Sequence, residues 1–226
     1  MNLSLSGFSE SLALERDAVS VVEIHNRTLF ARVCQSFFSE LDEAAVEPYA
    51  LWEGEERRSS RNYFLFVFNP FELPWTERAL FGEVLERVEN MFLSEDKERQ
   101  EIETMGRALS DRVASLGLRL KSDYAFEVQW DMRKYLKAFD FGVDIDPSDS
   151  LLDNLIKFLK FASDAAFAKQ LVFVNLKQFL EENELQEFYR QAVFSELKVL
   201  LLENVPDDTS YEYERKMCID KDFLQS

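Results

Sequence analysis

The run Val19-Ser-Val-Val-Glu-Ile24, followed by His25-Asn26 and then by Thr28 to Phe37, decides the fold class. Its first six residues are largely β-branched and apolar, which predicts a strand. Just beyond, Leu29, Val33 and Phe37 recur at every fourth position with Phe30 and Cys34 alongside, which predicts a helix. Strand, tight turn and helix together are the opening of an α/β unit.

Outward from this unit the same alternation continues. Tyr63-Phe-Leu-Phe-Val-Phe68 predicts a second strand, ended by Asn69-Pro70. Being apolar on both faces, it is expected inside a sheet covered on both sides. Further on, Leu171-Val-Phe-Val174 and Leu197 to Leu202 read as strands, with a short final strand near Cys218-Ile219. Between them, Leu151, Leu152, Leu155, Ile156 and Leu159 mark an amphipathic helix that starts after the loop Asp146 to Ser150, and Leu176 to Phe194 is mostly helical. The βαβ order predicts a mainly parallel sheet with right-handed crossovers.

The stretch from Thr76 to Phe139 has a different character. Leu80, Val84, Val88 and Met91 keep helical spacing; so do Ile102, Met105, Leu109, Val113 and Leu116; so do Tyr124, Val128, Met132, Tyr135 and Phe139. The charged run Ser94 to Glu101 reads as a solvated turn or helix extension. These segments are too long and regular for crossover loops. The expected organisation is an α/β head formed by residues 1–75 and 140–226 with a helical leg, 76–139, inserted into it.

Composition sets outer limits. The chain has 226 residues, is 46% hydrophobic and contains 21 Phe, which is enough apolar bulk for a packed core. The formal net charge of −17 argues, taken as an average, against phosphate binding and for an acidic, self-repelling surface. Met1 to Leu14 has no basic start and no long apolar run, and no segment approaches the roughly 20 apolar residues a bilayer span requires. With no export signal, Cys34 and Cys218 are expected as buried thiols, and the chain as cytoplasmic and free of membrane.

The chemistry is read mostly from what the turn lacks. Ile24-His25-Asn26-Arg27-Thr28 stands where a phosphate loop would sit, yet contains no Gly, and no glycine of the chain is followed by Lys-Ser or Lys-Thr. Nucleotide binding and hydrolysis are not expected. The single histidine makes a zinc site built within one chain improbable. No Gly-x-Ser-x-Gly elbow accompanies it, so His25 reads as a cap or surface residue.

Local charge says more. From Met105 to Ala138, seven basic residues stand against four acidic ones, a local net of +3. Arg133, Lys134 and Lys137 share a helical face by spacing, and Arg27 and Arg32 add positive charge to the first helix. Two readings stay open: a solvated face with pairs such as Asp131 and Lys134, or a surface for DNA phosphates. Asp123, Glu127 and Asp131 recur every fourth residue, which suits either intrahelical ion pairing or a hard cation such as calcium.

The ordered set Met1-Asn-Leu-Ser-Leu5, Val21-Val-Glu-Ile24, Leu29-Phe-Ala-Arg-Val33, Tyr135-Leu-Lys-Ala-Phe139, Leu151 to Leu159, Gln170 to Leu180, Leu197 to Glu203 and Ile219 to Leu224 resembles the short-form type II-A CRISPR-associated spacer-acquisition accessory proteins, the Csn-two family. The resemblance covers nearly the whole chain and is best from Tyr135 to Glu203. It implies a P-loop-ATPase-like head without nucleotide machinery, an inserted helical leg, and a homotetrameric ring holding linear double-stranded DNA in a basic hole. It also implies calcium held by carboxylates near the junction of leg and head, and work beside the CRISPR integrase subunits and the effector nuclease.

Carried onto this sequence, the calcium region falls on Asp123, Glu127 and Asp131, in a segment with fewer acids than its relatives have. Ring contacts are then expected to pass to the apolar surfaces of Trp130 and Tyr124. Arg27, Arg32, Arg133, Lys134 and Lys137 are the DNA-facing candidates. The expectation is a non-enzymatic ring that binds DNA ends. The alternatives are a protein scaffold without DNA binding of its own, and a metal-dependent nuclease using the three acids.

Overall fold

The computed structural model describes residues 1–122, 124 and 130–224. The chain divides into two compact units: Met1–Trp75 with Asp144–Ser226, and Thr76–Val143.

The first unit is a mixed α/β structure around a parallel sheet. The strand Val19–Ile24 (here β3) is buried at all six positions because it lies between two parallel neighbours and is covered on both faces. Those neighbours are Lys198–Glu203 (β8) and Glu214–Ile219 (β9); outward from β8 come Gln170–Val174 (β7) and Phe64–Val67 (β6). The order is β6-β7-β8-β3-β9, and every pairing is parallel.

The expectation for β6 needs correcting. It is the edge strand of the sheet, paired with β7. Its run of Phe is apolar on both sides for two separate reasons. Phe64 packs against Phe37 of the core, while Phe66 stacks on the exposed Phe68, with Phe38 edge-on to both.

Helices cover the sheet. Arg27–Ser39 (α1) starts at the N-cap Asn26, whose side chain accepts from the amides of Thr28 and Leu29. Leu29, Phe30, Val33 and Phe37 form its buried stripe, as the fourfold spacing predicts. Leu151–Asp164 (α5) opens with a reciprocal capping box between Ser150 and Asp153. After a short 3-10 turn at Leu176–Phe179, Glu182–Phe194 (α6) buries Leu185, Phe188 and Tyr189.

The sequence reading missed a second sheet. Asn2–Leu5 (β1), Ser11–Ala13 (β2), Tyr49–Glu53 (β4) and Glu56–Arg58 (β5) form an antiparallel sheet in the order β2-β1-β4-β5. Leu3, Leu5, Leu12, Tyr49 and Leu51 point from it into the core shared with α1 and with Val22, Ile24, Leu202 and Ile219 of the parallel sheet. Strands of three to five residues give too few alternations for period-two patterning to stand out.

The second unit contains Arg78–Ser94 (α2), Asp96–Gly117 (α3) and Met132–Ala138 (α4). The charged run from Ser94 is nearly all helix: only Glu95 leaves helical geometry, and α3 resumes at Asp96. The expected third helix from Tyr124 to Phe139 is shorter than its spacing suggests. Tyr124, Trp130 and Asp131 are not helical, and α4 begins at Met132. No helix among the described residues is long and apolar enough to cross a membrane.

Candidate functional site

Two strands of the parallel sheet carry a carboxylate at or next to their last residue. Glu23 near the end of β3 and Glu203 at the end of β8 lie in register, and Cys218 of β9 is the register partner of Glu23 on the other side. Paired residues on adjacent strands project to the same face. Val22, Ile24, Leu202 and Ile219 take the opposite, apolar face toward α1. Glu23, Glu203 and Cys218 therefore gather at the carboxyl ends of the strands, the usual position for chemistry in an open α/β sheet.

Glu23 is 2% exposed. Its Oε1 lies 2.6 Å from Nε2 of His25, and its Oε2 has no hydrogen-bond partner, with Lys216 Nζ 3.7 Å away. The Cys218 Sγ stands 3.5 Å from His25 Nε2 and 3.7 Å from Glu23 Oε1. His25 is half-buried and does not cap α1; Asn26 does.

Cys, His and Glu in contact invite comparison with a nucleophile–base–acid triad. The geometry argues against one. A triad base uses one ring nitrogen toward the nucleophile and the other toward the orienting acid. Here both contacts fall on Nε2. What the cluster offers is three donor atoms, carboxylate, imidazole and thiol, all within 4.8 Å of one another.

Beside it runs a line of buried charge. Glu203 Oε1 accepts from the Lys177 amide at 3.1 Å, while its Oε2 has no hydrogen-bond partner. Burial pushes its carboxyl up to about 8, against the opposing pull of the Lys177 amide and ammonium. Lys177 Nζ bonds both Asp207 and Glu214 at 2.9 Å. Burial pulls this ammonium down, but the two carboxylates outweigh it and hold it above its ordinary value. The Tyr189 hydroxyl donates to Glu214 at 2.7 Å, and Lys216 reaches the Asp207 carbonyl.

The residues expected at a DNA surface are placed as follows. Arg27 and Arg32 are exposed on α1, and Arg32 pairs with Glu47 at 2.8 Å. In the second unit, Arg133, Lys134 and Lys137 lie together on the seven-residue α4. Arg133 pairs with Glu89 at 2.7 Å, and the side chains of Lys134 and Lys137 are exposed.

Of the three acids read as a calcium set, Asp123 and Glu127 lie outside the described residues. Asp131 is extended backbone and N-caps α4, its carboxylate accepting from the Lys134 amide at 2.8 Å, so the helical-face argument does not hold there. Trp130 packs on Tyr135 within its own unit, and Tyr124 is exposed.

The cluster was missed because Cys218 is remote in sequence from Glu23 and His25: it meets Glu23 only through strand register. The one legible signal was a carboxylate at or next to the end of each of two largely apolar strands, Val-Val-Glu-Ile and Leu-Leu-Leu-Glu. Buried carboxylates are rare enough to ask for an explanation.

Comparison with known proteins supplies the lineage. No curated protein matches the chain. Among solved structures, Stu0660 of Streptococcus thermophilus is similar to it with a TM-score of 0.54 at 14% identity, covering 97% of this chain and 74% of that one. That likeness concerns the fold alone. The CRISPR-associated protein (Cas_Csn2) family matches residues 47–223, more than three quarters of the chain. The chain belongs to the CRISPR-associated Csn2 family.

Proposed function

We propose that this protein is a non-enzymatic ring that binds the ends of linear double-stranded DNA during CRISPR spacer acquisition, beside the integrase subunits and the effector nuclease. Membership of the Cas_Csn2 family implies a role in CRISPR adaptation. The observation that carries the finer reading is charge placement. In a chain of net charge −17, Arg133, Lys134 and Lys137 are concentrated on one seven-residue helix. A single copy of that helix is a weak phosphate site. Four copies lining a hole are a strong one, while the acidic remainder keeps the outside soluble.

Assembly has support in α3. Met105, Leu109, Val113 and Leu116 follow one another at helical spacing and are 63%, 53%, 43% and 55% exposed in the single chain. A contiguous apolar stripe of this kind is the usual mark of a subunit contact. The reading includes a P-loop-ATPase-like head that has lost its nucleotide site. The link from β3 to α1 is only His25-Asn26, and the cleft beside Lys177 is lined by Glu181, Glu182 and Asp207, the wrong charge for a triphosphate. The proposal takes no step through calcium, since the Asp131 carboxylate is occupied in capping.

The test is a mobility shift at low salt, with and without calcium, comparing linear duplex with closed circular duplex of the same sequence. A ring that loads at ends shifts the linear form alone. Shifts of both would mean binding from outside. No shift would favour a protein scaffold whose acidic surface meets basic partners. Binding through phosphates also predicts that log K falls with log salt by roughly 0.9 per phosphate neutralised.

A further inference from the structure

We propose that Glu23, His25 and Cys218 form a zinc-binding site at the carboxyl ends of β3 and β9. The donor set is carboxylate, imidazole and thiol, contributed by Glu23 Oε1, His25 Nε2 and Cys218 Sγ. Soft and borderline donors in this mixture suit Zn²⁺; calcium and magnesium take oxygen ligands only. The site is independent of the DNA-binding reading and of the acids around Asp131.

The geometry fits at two of its three edges. A tetrahedral zinc with bonds of about 2.0–2.3 Å sets its nitrogen–sulfur and oxygen–sulfur separations at roughly 3.5 Å. The distances are 3.5 Å from Cys218 Sγ to His25 Nε2 and 3.7 Å from Cys218 Sγ to Glu23 Oε1. The third edge, His25 Nε2 to Glu23 Oε1, is 2.6 Å and is closed by a hydrogen bond. Zinc takes the place of the proton between Nε2 and Oε1, the imidazole then carrying its proton on Nδ1, and this edge opens by under about 1 Å to reach tetrahedral spacing. That hydrogen bond holds two ligands preassembled in the metal-free chain.

Two further observations point to a cation. Glu23 is almost fully buried, yet its Oε2 lacks a hydrogen-bond partner. A buried carboxylate left in that condition is costly unless a positive charge attends it. Lys216 Nζ, 3.7 Å from Oε2, attends one oxygen and leaves Oε1 to the metal. The charges also balance once the neighbouring pairs are counted: Lys177 and Lys216 offset Asp207 and Glu214, and Zn²⁺ is neutralised by the Glu23 carboxylate and the Cys218 thiolate, whose proton leaves to solvent on binding.

Three protein ligands leave a fourth position for water or an external group. The metal would clamp edge strand β9 to β3, joining residues almost two hundred positions apart in sequence.

The experiment is titration of the metal-free full-length chain with Zn²⁺ and, as a spectroscopic probe, Co²⁺. The expected result is one ion per chain, a thiolate-to-cobalt charge-transfer band, and a rise in melting temperature that added calcium or magnesium does not reproduce. Cys34→Ser keeps all three. Cys218→Ser abolishes the thiolate band, and Cys218→Ser or His25→Gln weakens binding by about 100-fold or more, since losing even an outer partner of a ligand costs about 10–100-fold. Circular dichroism of the metal-free variants confirms that they fold. Absence of zinc binding by the wild-type chain at micromolar concentrations overturns the proposal. So does a thiolate band lost with Cys34→Ser, or binding unchanged in both Cys218→Ser and His25→Gln.

Discussion

At the scale of single residues, Glu203 has the clearest consequence. It is 1% exposed at the end of a central strand, and burial raises its carboxyl from 4.5 to about 8. Below pH 4.5 the group is protonated in both the folded and unfolded chain and contributes nothing to pH dependence. Between 4.5 and 8 the folded chain holds a proton that the unfolded chain has released, so stability falls as pH rises through this window. Above 8 the cost is complete and constant.

Glu203→Gln removes this cost. The amide carbonyl can keep the bond from the Lys177 amide, and the NH₂ group takes the place of the unbonded Oε2. The melting temperature of the variant minus that of the wild type is expected to grow by about 3 °C or more between pH 5 and pH 8.5, since one kcal/mol is worth about 2–4 °C at this chain length. A gap that stays constant with pH would show that Glu203 titrates normally.

At the scale of elements, α3 depends on a missing side chain. Gly106 is the one buried residue of that helix, and a Cβ built on it would stand 2.1 Å from the Trp130 ring. Trp130 in turn packs on Tyr135 of α4, with ring centroids 4.9 Å apart. Gly106→Ala gains helix propensity of nearly 1 kcal/mol but cannot coexist with the ring where it lies. The expected outcome is displacement of Trp130, seen as a changed near-ultraviolet circular dichroism spectrum and red-shifted tryptophan emission, with far-ultraviolet helix content preserved. An unchanged near-ultraviolet spectrum would mean that Trp130 does not cover Gly106 in solution. The i+4 spacing indicated α2 and α3 correctly but began the third helix too early. It could not indicate that the Asp131 position would be a cap, because periodicity reports which face is apolar and not where the backbone leaves the helix.

At the scale of the whole molecule, the α3 stripe predicts self-association. Leu109→Glu places a charge in its middle, at a position already exposed in the single chain, so the fold should be spared. Light scattering coupled to size exclusion is expected to show the wild type as a tetramer and the variant as a smaller species. The same variant should lose affinity for linear duplex, because the basic helices would no longer be presented in multiple copies. A variant that stays tetrameric would move the subunit contact to another surface.

Local periodicity and ordered segments, read along one chain, were enough for the α/β class, the parallel strands, the helices within residues 78–117 and the family. The tertiary structure alone decided three other matters. It showed the antiparallel sheet, whose strands are too short for their alternation to be read. It showed that β6 is an edge strand, since an apolar run looks the same at an edge as in a centre when aromatic neighbours cover it. And it brought Cys218 to Glu23 and His25, because strand register joins residues that no spacing along the chain can relate.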